Sequence, residues 1–437
     1  MIVNLKRKIT KIARVASCVS ALMWATSAYA QGDDFTYIHA GKLLDVLEGK
    51  MLTDQLITVE GERIVSVEPW HEQASGTDVI DWSGYTVLPG MIDGHTHLVG
   101  GPQSEDVLAP LKVTKADDLA YGVKNAYATL KAGFTSVVDV GTYRGLTDVE
   151  LRDQINAGEI LGPRMIVAGA YLTIPGGGGE VVGLNAGVDI PAEYRMGVAT
   201  GEEEVRTVVR HLIEGGADFI KMIATGAVLT NGTDPGQPEF TEAEMKAAVD
   251  EAAKYGKYVT AHAHGAEGIK MAVRAGVRSI QHGSIMDDEG VAMMKEHGTW
   301  LVADIYNGDY IKEVGTAEGW DAEILKKNND TTDTQRVAFT KAVKAGVNIA
   351  FGTDSGVFPH GLNARQMAYM VKYGLTPMQA VQSATIWGAR CMSLEANVGS
   401  ITPGKYADII AVKGDVLKDI TLLEHVDAVM KGGALVE

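Results

Sequence analysis

Eight short apolar runs, each followed by a stretch of helical pattern, are what most limit the folds open to this chain. They lie at 86–98, 135–141, 164–172, 218–224, 258–264, 278–284, 299–306 and 348–356. One of the intervening stretches reads TEAEMKAAVDEAAKYG, in which acidic residues open a helix and a glycine closes it. Strands that alternate with helices build a parallel sheet, and a closed (β/α)₈ barrel accommodates eight of them most economically. A doubly wound open sheet is the competing arrangement. The barrel is preferred because chemistry-bearing residues sit at the C-terminal ends of five of the runs, and a barrel points those ends toward one mouth.

Those polar residues set the chemistry. LPGMIDGHTHL places His95 and His97 two apart on a strand, so both project from one face. YVTAHAHG places His262 and His264 likewise, RSIQHGS adds His282, and IAFGTDSG adds Asp354. Imidazoles and a carboxylate together suit zinc and related divalent ions. Any one of these residues alone reads more simply as structural; all of them at strand ends do not. Strand parity leaves open whether His262 or His264 is a ligand. His39, His71, His211, His297 and His425 have no such partners and read as surface or capping residues.

The stretch ADFIKMIATGAVL sets Lys221 between Phe219-Ile220 and Met222-Ile223. A lysine is almost never fully buried unless its charge is paired or removed. The run offers no acidic residue beyond Asp218 at its start, so a core Lys–Glu pair is the poorer account. Burial and nearby cations both lower a lysine pKa. A neutral amine can add carbon dioxide to become a carbamate, an anionic two-oxygen ligand able to bridge two metal ions.

In order along the chain, His95, His97, Lys221, His262, His282 and Asp354 resemble the ligand series of the amidohydrolase superfamily, in its binuclear branch with a carboxylated lysine. The resemblance runs over nearly the whole chain. KMIATGAVLTNGTDPG, AHAHGAEGIK, LVADIYNGDYI and GTDSGVFPHG are similar to bacterial carboxypeptidases often labelled prolidases, which cleave dipeptides ending in arginine or lysine. The chain is also similar to ochratoxin-hydrolysing amidohydrolases. Where those carry a GGHG-like loop after the third strand, residues 176–180 read GGGGE, which counts against that substrate.

The resemblance implies two divalent metal ions, zinc by default. His95, His97 and Asp354 would hold one, His262 and His282 the other, with carboxylated Lys221 between them. It implies that Asp354 carries a proton from water to the departing amine, and that His264 hydrogen-bonds the substrate carbonyl or the tetrahedral intermediate. Asp304, Tyr306, Glu180, Asp234 and His360 are expected near the substrate. The expected function is hydrolysis of dipeptides or N-acyl amino acids by an exported metal-dependent amidohydrolase, favouring C-terminal Arg or Lys. The alternatives are a prolidase or ochratoxin-type hydrolase on the same site, and a non-catalytic metal-binding exported protein.

The two ends of the chain read differently. Residues 1–30 have a basic start, a short apolar run and an Ala28-Tyr29-Ala30 ending, which reads as a secretory signal cut near Gln31. The expected location is periplasmic or secreted. The run falls short of the roughly 20 residues that span a membrane, so no stable insertion is expected. Removing five positive charges and no negative one takes the net from −17 to −22, a balance that repels nucleic acid. Cys18 leaves with the signal, so Cys391 has no disulfide partner within the chain. Short β-prone runs at 31–85 and 396–437 are expected to form one small β-sandwich beside a barrel at 86–395. A homo-oligomer is compatible with all of this.

Overall fold

In a computed structural model the alternation resolves into a set of barrel strands and an end sheet, with a glycine at the first of the two crossings between them. The structure describes residues 35–101, 109–182 and 189–437; the signal expected over 1–30 lies outside them. The chain enters through β1 (Phe35–Asp45), β2 (Lys50–Glu60), β3 (Arg63–Pro69) and β4 (Val79–Pro89). The barrel strands follow: β5 (Met91–Thr96), β6 (Phe134–Asp139), β7 (Arg164–Val167), β8 (Tyr171–Leu172), β9 (Ile220–Ile223), β10 (Val259–Gly265), β11 (Ser279–Ile285), β12 (Trp300–Ala303) and β13 (Asn348–Phe351). β14 (Ile409–Lys413), β15 (Ala428–Lys431) and β16 (Ala434–Leu435) close the chain.

Both chain ends meet in one seven-stranded sheet of order β16-β15-β14-β4-β1-β2-β3. Side chains alternate across it, as the two-residue period of a strand requires. Ile38, Ala40, Ile57, Val59, Val87, Ile409 and Ala411 pack into a core belonging to this sheet alone. Their neighbours Leu88, Ile410 and Val412 join the main core of the barrel. The sheet is thereby fixed to the barrel along one face.

The strand expected over 86–98 is two strands in two different sheets. Gly90 is the break: its N–H donates to Asp408 O at 2.8 Å, and a Cβ there would lie 2.1 Å from Thr135 Oγ1. No larger residue fits. Another expected run, 164–172, is broken midway, so that β7 pairs with β6 and β8 pairs with β9. Gly169 makes that break at φ +81°, a value costly for any residue with a Cβ, and donates its N–H to Asp148 Oδ2 at 2.8 Å.

Every pairing from β5 to β13 is parallel. A bridge between Thr96 and Ser355, together with Asp354 N–H to His95 O at 2.8 Å, returns the last strand to the first. The fold is a TIM barrel with an added β-domain. The expected helix after β9 is present as Glu242–Ala253, started by a reciprocal Thr241–Glu244 capping box.

Candidate active site

The C-terminal ends of the barrel strands converge on a cavity of about 400 Å³. His95 lies on β5 with His97 just beyond it, Lys221 on β9, His262 and His264 on β10, His282 on β11, and Asp354 just past β13. All seven line the cavity. Two of them sit in left-handed backbone, His282 at φ 70° and Asp354 at φ 59°. Non-glycine residues rarely adopt that region, and its cost is borne where position matters more than comfort.

Two clusters of donor atoms form. Asp354 Oδ1 lies 3.3 Å from His95 Nε2 and 3.2 Å from His97 Nε2. Donors bound to a tetrahedral zinc at roughly 2.0–2.1 Å lie roughly 3.3–3.4 Å from one another, so both measured edges fit a metal. In the second cluster the rings of His262, His264 and His282 stand 4.5–4.7 Å apart, centroid to centroid. Most of these imidazoles engage one nitrogen with the protein and leave the other as a lone-pair donor. His97 Nδ1 meets Gly141 O at 3.0 Å, His262 Nε2 meets Gly226 O at 3.3 Å, and His282 Nδ1 meets Asp304 Oδ1 at 3.0 Å. Such outer partners fix the tautomer of a metal-binding histidine. Three groups could hold an ion: His95–His97–Asp354, His262–His264–His282 and His282–Asp304–Asp354.

Electrostatics favour neutral imidazoles at three of the histidines, while at His97 burial pulls down and the Asp354 carboxylate more than offsets it, raising the ring. Burial pushes His95 down to about 3, and burial with the neighbouring His282 holds His262 and His264 well below the usual imidazole range. Neutral imidazoles are what a metal requires. Burial alone would raise Asp354, yet His95 and His97 hold it well below the carboxylate range. Asp304 is likewise held at about 2 by His282, against its burial.

Lys221 is 2% exposed. Among the described residues no hydrogen bond or ion pair engages its amine. Burial pushes it down to about 8, against the upward pull of Asp354, Asp304 and Asp139. The core Lys–Glu pair considered from the sequence does not form.

The expected substrate contacts fare less well. Tyr306 is not on the cavity wall. β12 ends at Ala303 and the chain turns helical, so strand alternation no longer applies; Tyr306 packs on Phe358 and Tyr369 and accepts from Arg365 Nη1 at 3.2 Å. His360 is half-buried and off the cavity wall, Nε2 to His97 O at 3.0 Å, where it braces the first cluster. Asp234 is exposed and caps its own turn through Gly236 N–H at 2.8 Å. Glu180 does line the cavity, but its carboxylate is taken by Arg195 and by Gly176 N–H. Asp304 lines it too, as the partner of His282.

Other residues at the site were not singled out in the sequence. Asn307 Nδ2 donates to Asp354 Oδ2 at 3.0 Å, and Gln335 Nε2 donates to Asp304 Oδ1 at 2.7 Å. Tyr171 Oη meets His97 Nδ1 at 3.1 Å. Lys327 Nζ, on the long helix well after the end of β12 at Ala303, donates to the carbonyls of Ala227, Thr230 and Thr233 at 3.3, 2.7 and 3.0 Å. That bond set ties down the loop carrying Leu229, Thr230 and Asn231 into the wall. The N in DIYNGD and the buried K of ILKKNND were the available signals.

Comparison with known proteins agrees with this geometry. A model of the amidohydrolase family matches residues 86–436. Ochratoxinase of Aspergillus niger is 33% identical over 367 residues, covering 80% of this chain and 75% of that protein. A crystal structure of a Xaa-Pro dipeptidase with methionine bound in its active site is 40% identical, covers 92% of this chain and 100% of that one, and superposes with a TM-score of 0.87. A prolidase complexed with N-methylphosphonate-L-proline is 29% identical over 92% of this chain and 99% of that one, with a TM-score of 0.85.

Proposed function

The chain belongs to the amidohydrolase family, and from that premise we propose that it hydrolyses the amide bond of dipeptides or N-acyl amino acids with the aid of two divalent metal ions. The observation that carries this reading is the meeting of two donor clusters, buried except for the half-buried His97, with an unpaired buried lysine on the wall of one cavity. His95, His97 and Asp354 would hold one ion, and His262 and His282 the other. Zinc is the default for such a donor set. The neutral Lys221 amine would add carbon dioxide through a new N–C bond and release one proton, and the resulting carbamate would supply an anionic oxygen donor to the metal site.

The metal pair, when bound, supplies Lewis acidity, polarising the scissile carbonyl and lowering the pKa of a shared water. The protein does the rest. Asp354, kept ionised by its two histidines, accepts the proton of the attacking water and returns it to the departing nitrogen. An amide nitrogen leaves poorly without that proton. His264 Nδ1 lies 2.7 Å from Ser284 Oγ; in the tautomer that accepts a hydrogen bond from that hydroxyl at Nδ1, Nε2–H is left to donate to the developing oxyanion.

The preference for C-terminal Arg or Lys needs an acidic wall. Asp118 is paired with Arg144 and Glu180 with Arg195. That leaves Asp321, an exposed helix cap at the mouth, as the described wall carboxylate without an ion pair. A second reading has its own support: Val113, Leu229, Ile311 and Val357 line the same wall, and a relative holds methionine in its site. That reading is an apolar C-terminal residue. A scavenging protein without catalysis would close its metal sphere with protein ligands, whereas these clusters face open volume. Export belongs to the same proposal, supported by residues 1–30; a mature chain starting at Gln31 would confirm it by mass.

The test is a purified protein with measured metal content, assayed on dipeptides and N-acyl amino acids varied at the C-terminal residue. Two metals per chain with turnover on Xaa-Arg, Xaa-Lys or Xaa-Met supports the reading. A metal-loaded protein inert on the whole panel overturns it.

A further inference from the structure

The imidazoles of the two donor clusters are not backed alike. His97 Nδ1 meets neutral oxygens, Gly141 O at 3.0 Å and Tyr171 Oη at 3.1 Å, while His95 Nδ1 is buried without a hydrogen-bond partner. His262 Nε2 meets Gly226 O at 3.3 Å, and His264 Nδ1 meets Ser284 Oγ at 2.7 Å. Among the described residues, His282 alone has a carboxylate behind it, with Nδ1 3.0 Å from Asp304 Oδ1. Asp304 is 5% exposed and is itself held. Gln335 Nε2, from the long helix Ala322–Ala345, donates to Oδ1 at 2.7 Å, and Asn307 Nδ2 donates to Oδ2 at 3.3 Å.

His282, Asp304 and Asp354 lie close enough together to share an ion directly. The bonds to Oδ1 argue against it, because two N–H donors already occupy that oxygen. An ionised carboxylate only accepts, so His282 carries its proton on Nδ1 and keeps Nε2 as its lone-pair donor. A carboxylate on the far nitrogen makes an imidazole more basic and strengthens its bond to a metal. The first cluster has the charge of Asp354 among its own donors, whereas the second is made of histidines.

We propose that Asp304 sets the affinity of the second ion through His282, supplying from behind the ring the negative charge that Asp354 gives the first ion directly. The proposal rests on the two-metal reading of the site. It makes Asp304 a positioning residue for the metal rather than a contact for the substrate.

The experiment titrates the metal-stripped full chain with zinc against a competing chelator, with bicarbonate present. The wild type should take up two ions. Asp304→Asn keeps the shape and an acceptor oxygen but removes the charge. It should weaken one ion by roughly 10–100-fold, the scale for such outer carboxylates, and leave the other near its wild-type affinity. His262→Asn, which breaks the second cluster, identifies the ion: in that background Asp304→Asn should weaken the remaining ion no further. Gln335→Met unties Asp304 without altering a ligand, and should weaken the same ion by a smaller factor even if Asp304→Asn fails to fold. Two ions of unchanged affinity in Asp304→Asn, with KM raised instead, would return Asp304 to the substrate and overturn the proposal. Equal weakening of both ions would overturn it too, as would a variant that takes up no second ion at any zinc concentration, the mark of a direct ligand. A wild type that binds fewer than two ions would instead remove the reading on which the proposal rests.

Discussion

Replacing Lys221 with methionine separates what the lysine does for the fold from what it does for the site. In protein stripped of metal and carbon dioxide, burial lowers the amine from 10.5 to about 8. At about 1.4 kcal/mol per pH unit, a folded state that must carry this ammonium is destabilised by about 3 kcal/mol. The unfolded chain binds more protons than the folded one between pH 8 and 10.5. Stability of the stripped protein is therefore depressed by the full amount below pH 8 and climbs as pH rises through that window. Methionine has similar reach and no charge. Stripped Lys221→Met should be more stable than stripped wild type by about 3 kcal/mol at pH 7, with the advantage fading toward pH 10.5. Adding zinc and bicarbonate should reverse the order, because only the wild type can form the carbamate and gain from binding. Denaturant titrations of both proteins at pH 7 and pH 10, with and without those additions, measure all of this. A stripped variant less stable than the stripped wild type at pH 7 would refute the reasoning, for it would mean that the ammonium is at ease where it lies.

Three other outcomes follow from the same geometry. Asp354→Asn should lower kcat by at least a thousandfold, since it removes the proton carrier, while elemental analysis finds most of the metal retained by the histidines. Lys327→Met removes three hydrogen bonds to the loop over the cavity; it should destabilise the protein by about 3 kcal/mol and raise KM more than it lowers kcat. Glu239, pushed up to about 7 by burial while accepting Gly178 N–H, binds more protons folded than unfolded between pH 4.5 and 7, so its cost to stability grows as pH rises through that window. Glu239→Gln should accordingly melt higher than wild type at pH 8 and no higher at pH 4, read by thermal denaturation.

What the sequence made legible was what a strand encodes locally. His95, His97, Lys221, His262, His264, His282 and Asp354 are polar residues at the ends of apolar runs, and all of them reach the cavity. What it hid depends on distant partners or on where an element stops. Tyr306 was placed by strand alternation that ends three residues earlier, at Ala303. Glu180 looked free because Arg195, which pairs with it, lies on another loop. Asn307, Gln335 and Lys327 sit in helical segments where nothing local separates a solvated polar residue from a buried one. The hinge at Gly90 was concealed because the residues on both sides of it are equally apolar, although they enter different sheets.

His282 and Asp354 occupy a backbone shape that glycine adopts without penalty. Upkeep of the fold therefore gives no reason for histidine or aspartate there and pulls the other way. In a mutational library sorted for yield of folded protein, glycine should become enriched at both positions; in one sorted for turnover, it should vanish. At these two points the side chain serves the site at the expense of the firmness of the chain that carries it.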